Sequence, residues 1–353
     1  MTSMTPDAPL VTGGVDTHRD FHVAAAVDPV GGVLGTRSFP TTPSGYRQLL
    51  GWMRSFGPLD RVGVEGTGSY GAALARHLTS SGIEVLEVSR PNRQVRRRHG
   101  KTDVVDAIAA ARAVLSGEAT ATPKSHDGPV EALRALKMLQ RSANKARTQA
   151  LNQLRALVLT APDELRERLR DLPTRQLLET CRAFRVRADD DSLTGITRLT
   201  MRDFAQRIAF LDEQLKTTTG RLQRLVTKVA PDLVARHGVG PDTASTLLLA
   251  AGDNPDRLHN ERSLAALLGS SPVPANSGQR QNRHRLNRGG DRQGNAALWR
   301  IVMVRLATDQ RTRDYLAKRT AEGKTKAETI RCLKRYVARE VFAALPRAAL
   351  VLQ

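Results

Sequence analysis

The sequence predicts an α/β domain followed by two largely helical sections, a chain of α/β plus all-α class. Three observations predict it. Short β-type apolar runs broken by Gly and Pro extend to about residue 117. Leucine stripes at three- and four-residue steps follow from about 128 to 230. The remainder is helical apart from one long loop rich in Gly, Ser and Arg. The expected division is a disordered tail over 1–10, an α/β domain over 11–118, a helical section over 119–230 and a C-terminal domain over 231–353.

The first domain reads element by element. Val11 to Asp16, Phe21 to Val27 and Val33 to Phe39 have strand patterns, with Gly31-Gly32 marking the hairpin between the second and third. Thr42-Pro43-Ser44 opens a helix running to about Phe56. Arg61 to Glu65 is a short buried-type strand, Tyr70 to Ser80 a helix and Ile83 to Val88 another strand. After a basic loop, a last helix runs from near Thr102 to Gly117. Three antiparallel strands and then β-α-β-α is the order of an RNase H-like domain, although several α/β folds share parts of it.

Val130, Leu133, Leu136 and Leu139, then Leu151, Leu154, Leu157 and Val158, mark one long helix. Phe204, Ile208, Leu211, Leu215, Leu222 and Leu225 mark a second. Pro162, Pro173 and Asp189-Asp190-Asp191 interrupt the run, so the pattern predicts two long antiparallel helices with a short helical tip. Beyond Pro231 a loop spans about Gly269 to Asp291, and an amphipathic helix covers roughly Ala327 to Leu345.

Composition narrows the function. The 353 residues leave ample core for two or three domains, and 40% hydrophobic with 25% charged residues is a soluble globular balance. No apolar run approaches the ~18 residues of a membrane span, and the polar, Pro-containing start lacks the regions of a signal peptide. A cytoplasmic protein with no membrane partner is expected. Cys181 and Cys332 stand alone, which argues against a zinc ribbon and a disulfide scaffold. Fifty-five Lys and Arg against 35 Asp and Glu give +20, an excess that favours a polyanion, because phosphate contacts release condensed counterions. With aromatic residues at 4%, stacking on single strands is not the expected mode.

The strongest constellation is acidic. Asp16 ends the first strand in Gly-Val-Asp-Thr-His, and Glu65 ends the fourth in Val-Gly-Val-Glu-Gly-Thr-Gly. Asp103 and Asp106 stand three apart in Lys-Thr-Asp-Val-Val-Asp-Ala, on one helical face. In an RNase H-like sheet the first and fourth strands are neighbours and the helix crosses their ends. Four converging carboxylates cannot all remain ionised without cations, so paired Mg²⁺ ions (or Mn²⁺) are expected, placed to clamp the attacking and leaving oxygens of a phosphodiester. Taken singly, each acid also reads as a strand-end or helix cap.

Three basic or glycine-rich features accompany the acids. Arg90, Arg93, Arg96, Arg97, Arg98 and Lys101 precede Asp103 and are placed to hold phosphates against it. Gly238-Val-Gly240 before an apolar helix resembles a helix-hairpin-helix turn, whose backbone N–H groups bind phosphate, or a tight turn needing a positive φ. The loop with Arg280, Arg283, Arg285 and Arg288 looks phosphate-gripping, and a serine within it, Ser277, is a candidate nucleophile toward phosphorus.

Gly14-Val-Asp-Thr-His18, Val64-Glu-Gly-Thr-Gly68, Lys101-Thr-Asp-Val-Val-Asp-Ala107, Gly238-Val-Gly-Pro241 and Ala275-Asn-Ser-Gly278 together resemble the DEDD transposases of the insertion sequence 110 family. The resemblance covers nearly the whole chain. It implies a tetrad of Asp16, Glu65, Asp103 and Asp106, and a serine nucleophile at Ser277, with Asn276 where many relatives carry a second serine. It further implies a bacterial Mg²⁺-dependent recombinase with a RuvC-like domain, a helical coiled-coil section and a C-terminal transposase domain. Its partners would be double-stranded donor and target DNA and a structured bridge RNA, and it would assemble as a dimer or tetramer. A Holliday-junction resolvase is the alternative, since it uses the same carboxylates for hydrolysis but needs neither the Ser277 loop nor the long C-terminal domain.

Overall fold

A computed structural model describes residues 9–88, 102–187, 189–275, 284–287 and 289–346. By compactness the chain divides into two units. One takes in residues 1–131, 250–290 and 345–353, the other 132–249 and 291–344.

The first unit is built on a five-stranded sheet. β1 (Val11–Thr17), β2 (Phe21–Val27) and β3 (Val33–Pro40) form an antiparallel meander, and β4 (Leu59–Glu65) and β5 (Glu84–Val88) extend it in parallel. The order across the sheet is β3-β2-β1-β4-β5. α1 (Pro43–Arg54) and α2 (Ala72–Ser80) are the connections into β4 and β5, and α3 (Asp103–Leu115) follows. Each expected strand and helix of this domain is present, with ends shifted by a residue or two. Thr42 caps α1 by accepting from Gly45 N at 3.1 Å, and Thr102 caps α3 by accepting from Val105 N at 3.3 Å.

Strand alternation sorts side chains onto two faces. Ala24, Val62 and Val64 join Tyr46, Leu49, Met53, Leu74 and Leu78 of α1 and α2 in one buried cluster. Val23 and Ala25 pack against Ala107 of α3, while Leu86 and Val88 meet Ala110 and Val114. Glycine decides how closely α3 approaches. A Cβ on Gly14 would lie 2.2 Å from Ala111 N and 2.3 Å from Ala107 O, and one on Gly63 would lie 2.8 Å from Ala110 O. The helix backbone therefore rests on bare strand backbone.

Between the sheet and α1, His22 is fully buried and stacks on Tyr46, with ring centroids 5.7 Å apart. Burial, reinforced by the nearby His18 ring, pushes its pKa down from 6.5 to about 4.

The same unit contains α10 (Glu261–Leu267) and, where the sequence suggested an uninterrupted loop, a short antiparallel ribbon of β6 (Pro272–Pro274) and β7 (His284–Leu286). Pro272 and Pro274 lack the N–H that marks a strand in sequence, so the pairing left no readable signal.

The second unit is helical. Its elements come from α4 (Pro129–Leu159), α5 (Asp163–Leu169), α6 (Thr174–Arg182), α7 (Leu193–Val229), α8 (Pro231–Val234), α9 (Pro241–Ala251), α11 (Arg292–Thr308), α12 (Gln310–Ala321) and α13 (Lys326–Ala344). α4 and α7 run antiparallel, as the Gln140–Thr219 hydrogen bond and the Arg147–Asp212 ion pair show, and α5 and α6 form the tip. Ala150, Leu154 and Val158 meet Met201, Ala205 and Ile208 in their shared core. Leu139, read as part of the apolar stripe, is instead 41% exposed, and Lys137 is buried. Steps of three residues drift around a 3.6-residue helix, whereas the four-residue step from Leu133 lands on Lys137. That ammonium pairs with Asp242, which also takes Arg300 Nη1 at 2.9 Å. No helix among the described residues is long and apolar enough to cross a membrane.

Two outcomes follow from the packing. Gly14→Ala places its new methyl against helix backbone that cannot rotate away, so it should cost about 1–3 kcal/mol or more in chemical denaturation. His22 folds neutral, so its contribution is full above pH 6.5 and is lost as pH falls toward about 4. The loss should approach roughly 3 kcal/mol, and His22→Phe should flatten that limb of the stability–pH curve.

Candidate functional site

The site lies where β1 and β4 end and α3 begins. β1 and β4 pair in parallel through Val15 and Val64, so Asp16 and Glu65 stand side by side, one residue past that pair. Thr17 Oγ1 donates to the Glu65 main-chain oxygen at 2.8 Å and fastens the two strand ends. Asp103 and Asp106 occupy the first turn of α3, where the positive end of the helix favours carboxylates. Asp16 and Asp106 are buried, at 8% and 4% exposure.

Three side chains converge most tightly. Asp16, His18 and Asp103 each offer a ligand atom, and these atoms lie within 4.8 Å of one another. His18 Nε2 stands 3.2 Å from Asp16 Oδ2 and 3.3 Å from Asp103 Oδ2. Glu65 and Asp106 are outside this innermost group. Burial raises the Asp16 pKa above its ordinary 3.8; His18 opposes the rise, and the neighbouring charges of Asp106 and Asp103 add to it.

A divalent cation fits this donor set. His18 Nε2 is shielded from solvent and faces an oxygen of each of two carboxylates, at 3.2 and 3.3 Å, without a well-aligned hydrogen bond to either. The separation of the donors matches a cation with ligands at about 2.0–2.6 Å. Asp16, Asp103 and His18 would hold it, with Glu65 and Asp106 adjoining.

The other expected positions are placed as follows. Gly238 adopts φ +78°, and a Cβ there would meet Ile301 O and Arg305 Cγ of α11 at 3.3 Å. Arg305 Nε also donates to His237 O at 2.9 Å, so this turn has a packing role whatever it binds. Gly240 has open space where a Cβ would be. Arg285 is exposed on β7, opposite Val273. Ser277, Arg280 and Arg283 belong to the segment joining β6 and β7, outside the described residues, as do Arg93, Arg96, Arg97, Arg98, Lys101 and Arg288. The sequence reading gave no role to His18. Its signal was its spacing, since residues two apart on an extended strand share a face, and His18 follows Asp16 by two.

A sheet of this order with acids at the end of β1, beside it on β4 and on the crossing helix defines an RNase H-like domain with an acidic cluster suited to a divalent metal. Residues 13–161 match a transposase family model of the DEDD type from IS110 elements, and residues 233–317 match the model described as transposase IS116/IS110/IS902 family. Over 157 residues the chain is 27% identical to an uncharacterized 43.6 kDa protein of insertion element IS110 from Streptomyces coelicolor. That stretch takes in 43% of this chain and 38% of the relative, so the chain spans little more than a third of it. The chain belongs to the IS110 family of transposases.

If Asp103 is a ligand, Asp103→Asn should weaken Mn²⁺ binding in calorimetric titration by ~10-fold or more while leaving the thermal transition in place. The raised Asp16 pKa means that its proton stabilises the fold fully below pH 3.8, and that this contribution is lost as pH rises through the folded value. Protons therefore compete with metal, and divalent affinity should fall on acidification in the range above 3.8.

Proposed function

We propose that this protein is a DNA strand-transfer enzyme of an insertion sequence, using a divalent-metal carboxylate site together with a serine nucleophile. The observation that carries the reading is the convergence of Asp16, Asp103 and His18 at the sheet end, beside Glu65 and Asp106. The two family matches support it by covering both the acidic domain and the region that includes Ser277. A bound Mg²⁺ or Mn²⁺ supplies charge neutralisation at phosphodiester oxygens.

The remaining chemistry belongs to the chain. Recombination must rejoin strands without an external energy source, so hydrolysis would lose the bond energy that rejoining needs. Attack by Ser277 Oγ forms a serine–phosphorus bond as a DNA oxygen leaves and takes up a proton. An incoming DNA hydroxyl then displaces Ser277, its proton passing back to Oγ. The bond count is unchanged throughout and no water is consumed. Arg280, Arg283 and Arg285 are suited to hold the non-bridging oxygens as charge develops on them.

The partners are donor and target duplex DNA, gripped through phosphates by the arginine-dense segments 90–101 and 280–292, with site choice delegated to a structured guide RNA. Self-association into dimers or tetramers through the α4–α7 hairpin, acting as a coiled-coil arm, completes the reading.

The test uses the full-length protein with its element-encoded RNA and both DNA partners. Ser277→Ala should retain DNA and RNA binding within about twofold, lose joined product and lose a covalent protein–DNA species. A persisting covalent adduct would move the nucleophile elsewhere, with Ser271 and Ser270 next in line. Nicked DNA without joined product from the unaltered protein would favour a resolvase-type hydrolase, and correct recombination without RNA would remove the guiding role.

A further inference from the structure

We propose that His18 is a nitrogen ligand of the metal centre, and that it makes the site prefer Mn²⁺ over Mg²⁺. The inference rests on reading the acidic sheet end as a divalent-metal site and assigns that site a donor that the carboxylate tetrad does not contain.

The geometry fixes the imidazole in place. His18 opens the tight connection between β1 and β2, where its main-chain N–H donates to Phe21 O at 3.2 Å. The Phe21 ring lies against it with centroids 5.1 Å apart. Held so, Nε2 points between the Asp16 and Asp103 carboxylates, at 3.2 and 3.3 Å, and makes no aligned hydrogen bond. As an ion-pair partner alone His18 would need only one of the two carboxylates, whereas here three ligand atoms converge to within 4.8 Å of one another. A cation seated among the three donor atoms satisfies Nε2 and both carboxylates together.

Donor chemistry then sets the selectivity. Mg²⁺ is a hard ion that favours oxygen ligands and gives up water reluctantly. Imidazole suits first-row transition ions better than Mg²⁺, and among them Mn²⁺ is the one whose preference for carboxylate and water ligands is nearest to that of Mg²⁺. One nitrogen among oxygens moves the balance toward Mn²⁺ without excluding Mg²⁺.

The experiment loads the full-length protein with Mn²⁺, without DNA or RNA, and measures pulsed electron paramagnetic resonance. Wild type should show the ¹⁴N coupling of a directly bound imidazole. That coupling should vanish in His18→Ala and in His18→Asn, the second being nearer in size and retained in case the first fails to fold. In competition titrations the Mn²⁺ over Mg²⁺ preference should fall by ~10-fold. Binding of Mn²⁺ that is lost in Asp103→Asn, but shows no ¹⁴N coupling in wild type, would overturn the proposal and leave His18 as an ion-pair partner of the two carboxylates. Coupling that survives in both His18 variants would overturn it as well, by assigning the signal to another histidine. Mn²⁺ binding unaffected by Asp103→Asn would instead defeat the underlying reading of the metal site.

Discussion

The close approach of α3 to the sheet is the constraint on which the rest depends. Asp103 and Asp106 belong to that helix and Asp16 to a strand beneath it, so their meeting is set by the height at which helix backbone rides over strand backbone. Gly14 and Gly63 remove the side chains that would lift it, and Ala107, Ala110 and Ala111 present the smallest helical surface in return. A valine at either glycine would raise the helix by roughly a side-chain layer and carry its carboxylates away from Asp16. The short Gly and Ala stretches are thus as much a part of the site as the acids.

That same packing creates an electrostatic problem. Two like charges at about 4 Å repel by around 4 kcal/mol at an effective dielectric of 20, and Asp16 feels both Asp103 and Asp106 while being buried itself. The fold brings these carboxylates together and fixes the strand ends through the Thr17–Glu65 bond. Within the structure, the helix N-terminus and His18 offset part of the repulsion. A divalent cation offsets more of it, which is why an arrangement costly to the apo fold is the one expected of a metal centre.

Much of this was legible in the sequence. Alternating apolar residues and the Gly31–Gly32 turn fixed the meander, and the acids at two strand ends and one helix start pointed to the site, because those features depend on neighbours within a few residues. What escaped depends on distant partners. Leu139 and Lys137 exchange their expected places because Asp242, far along the chain, offers the ammonium a partner. The N-terminal turn of α4 is capped by buried Asp253, which accepts from Val130 N at 2.7 Å, and no local pattern announces such a cap. The β6–β7 ribbon joins three-residue strands, two positions of which are proline, too short and too irregular to carry a period. His18 stood in plain view within a motif, yet a histidine acquires meaning there only when the helix carrying Asp103 is laid across it.

Charge ties the local site to the whole molecule. A net charge of +20 is suited to drawing a polyanion from a distance, yet the proposed chemistry is centred on carboxylates, which would repel a phosphate. Arginines flanking the site in sequence, which the proposed reading assigns to non-bridging oxygens, would not cancel the negative charge of the carboxylates themselves. A cation there would offset that negative charge where the proposed reading brings the phosphate. Its effectiveness depends on how much positive charge survives its ligands, and here the kind of donor matters. Each carboxylate ligand subtracts a unit of charge, whereas a neutral imidazole adds a bond and subtracts none. With His18 as an inner donor in place of a further carboxylate, a divalent ion held by Asp16 and Asp103 would have its two charges balanced and not exceeded. Such a centre would be neutral rather than anionic, and so would not repel the phosphate it is proposed to meet.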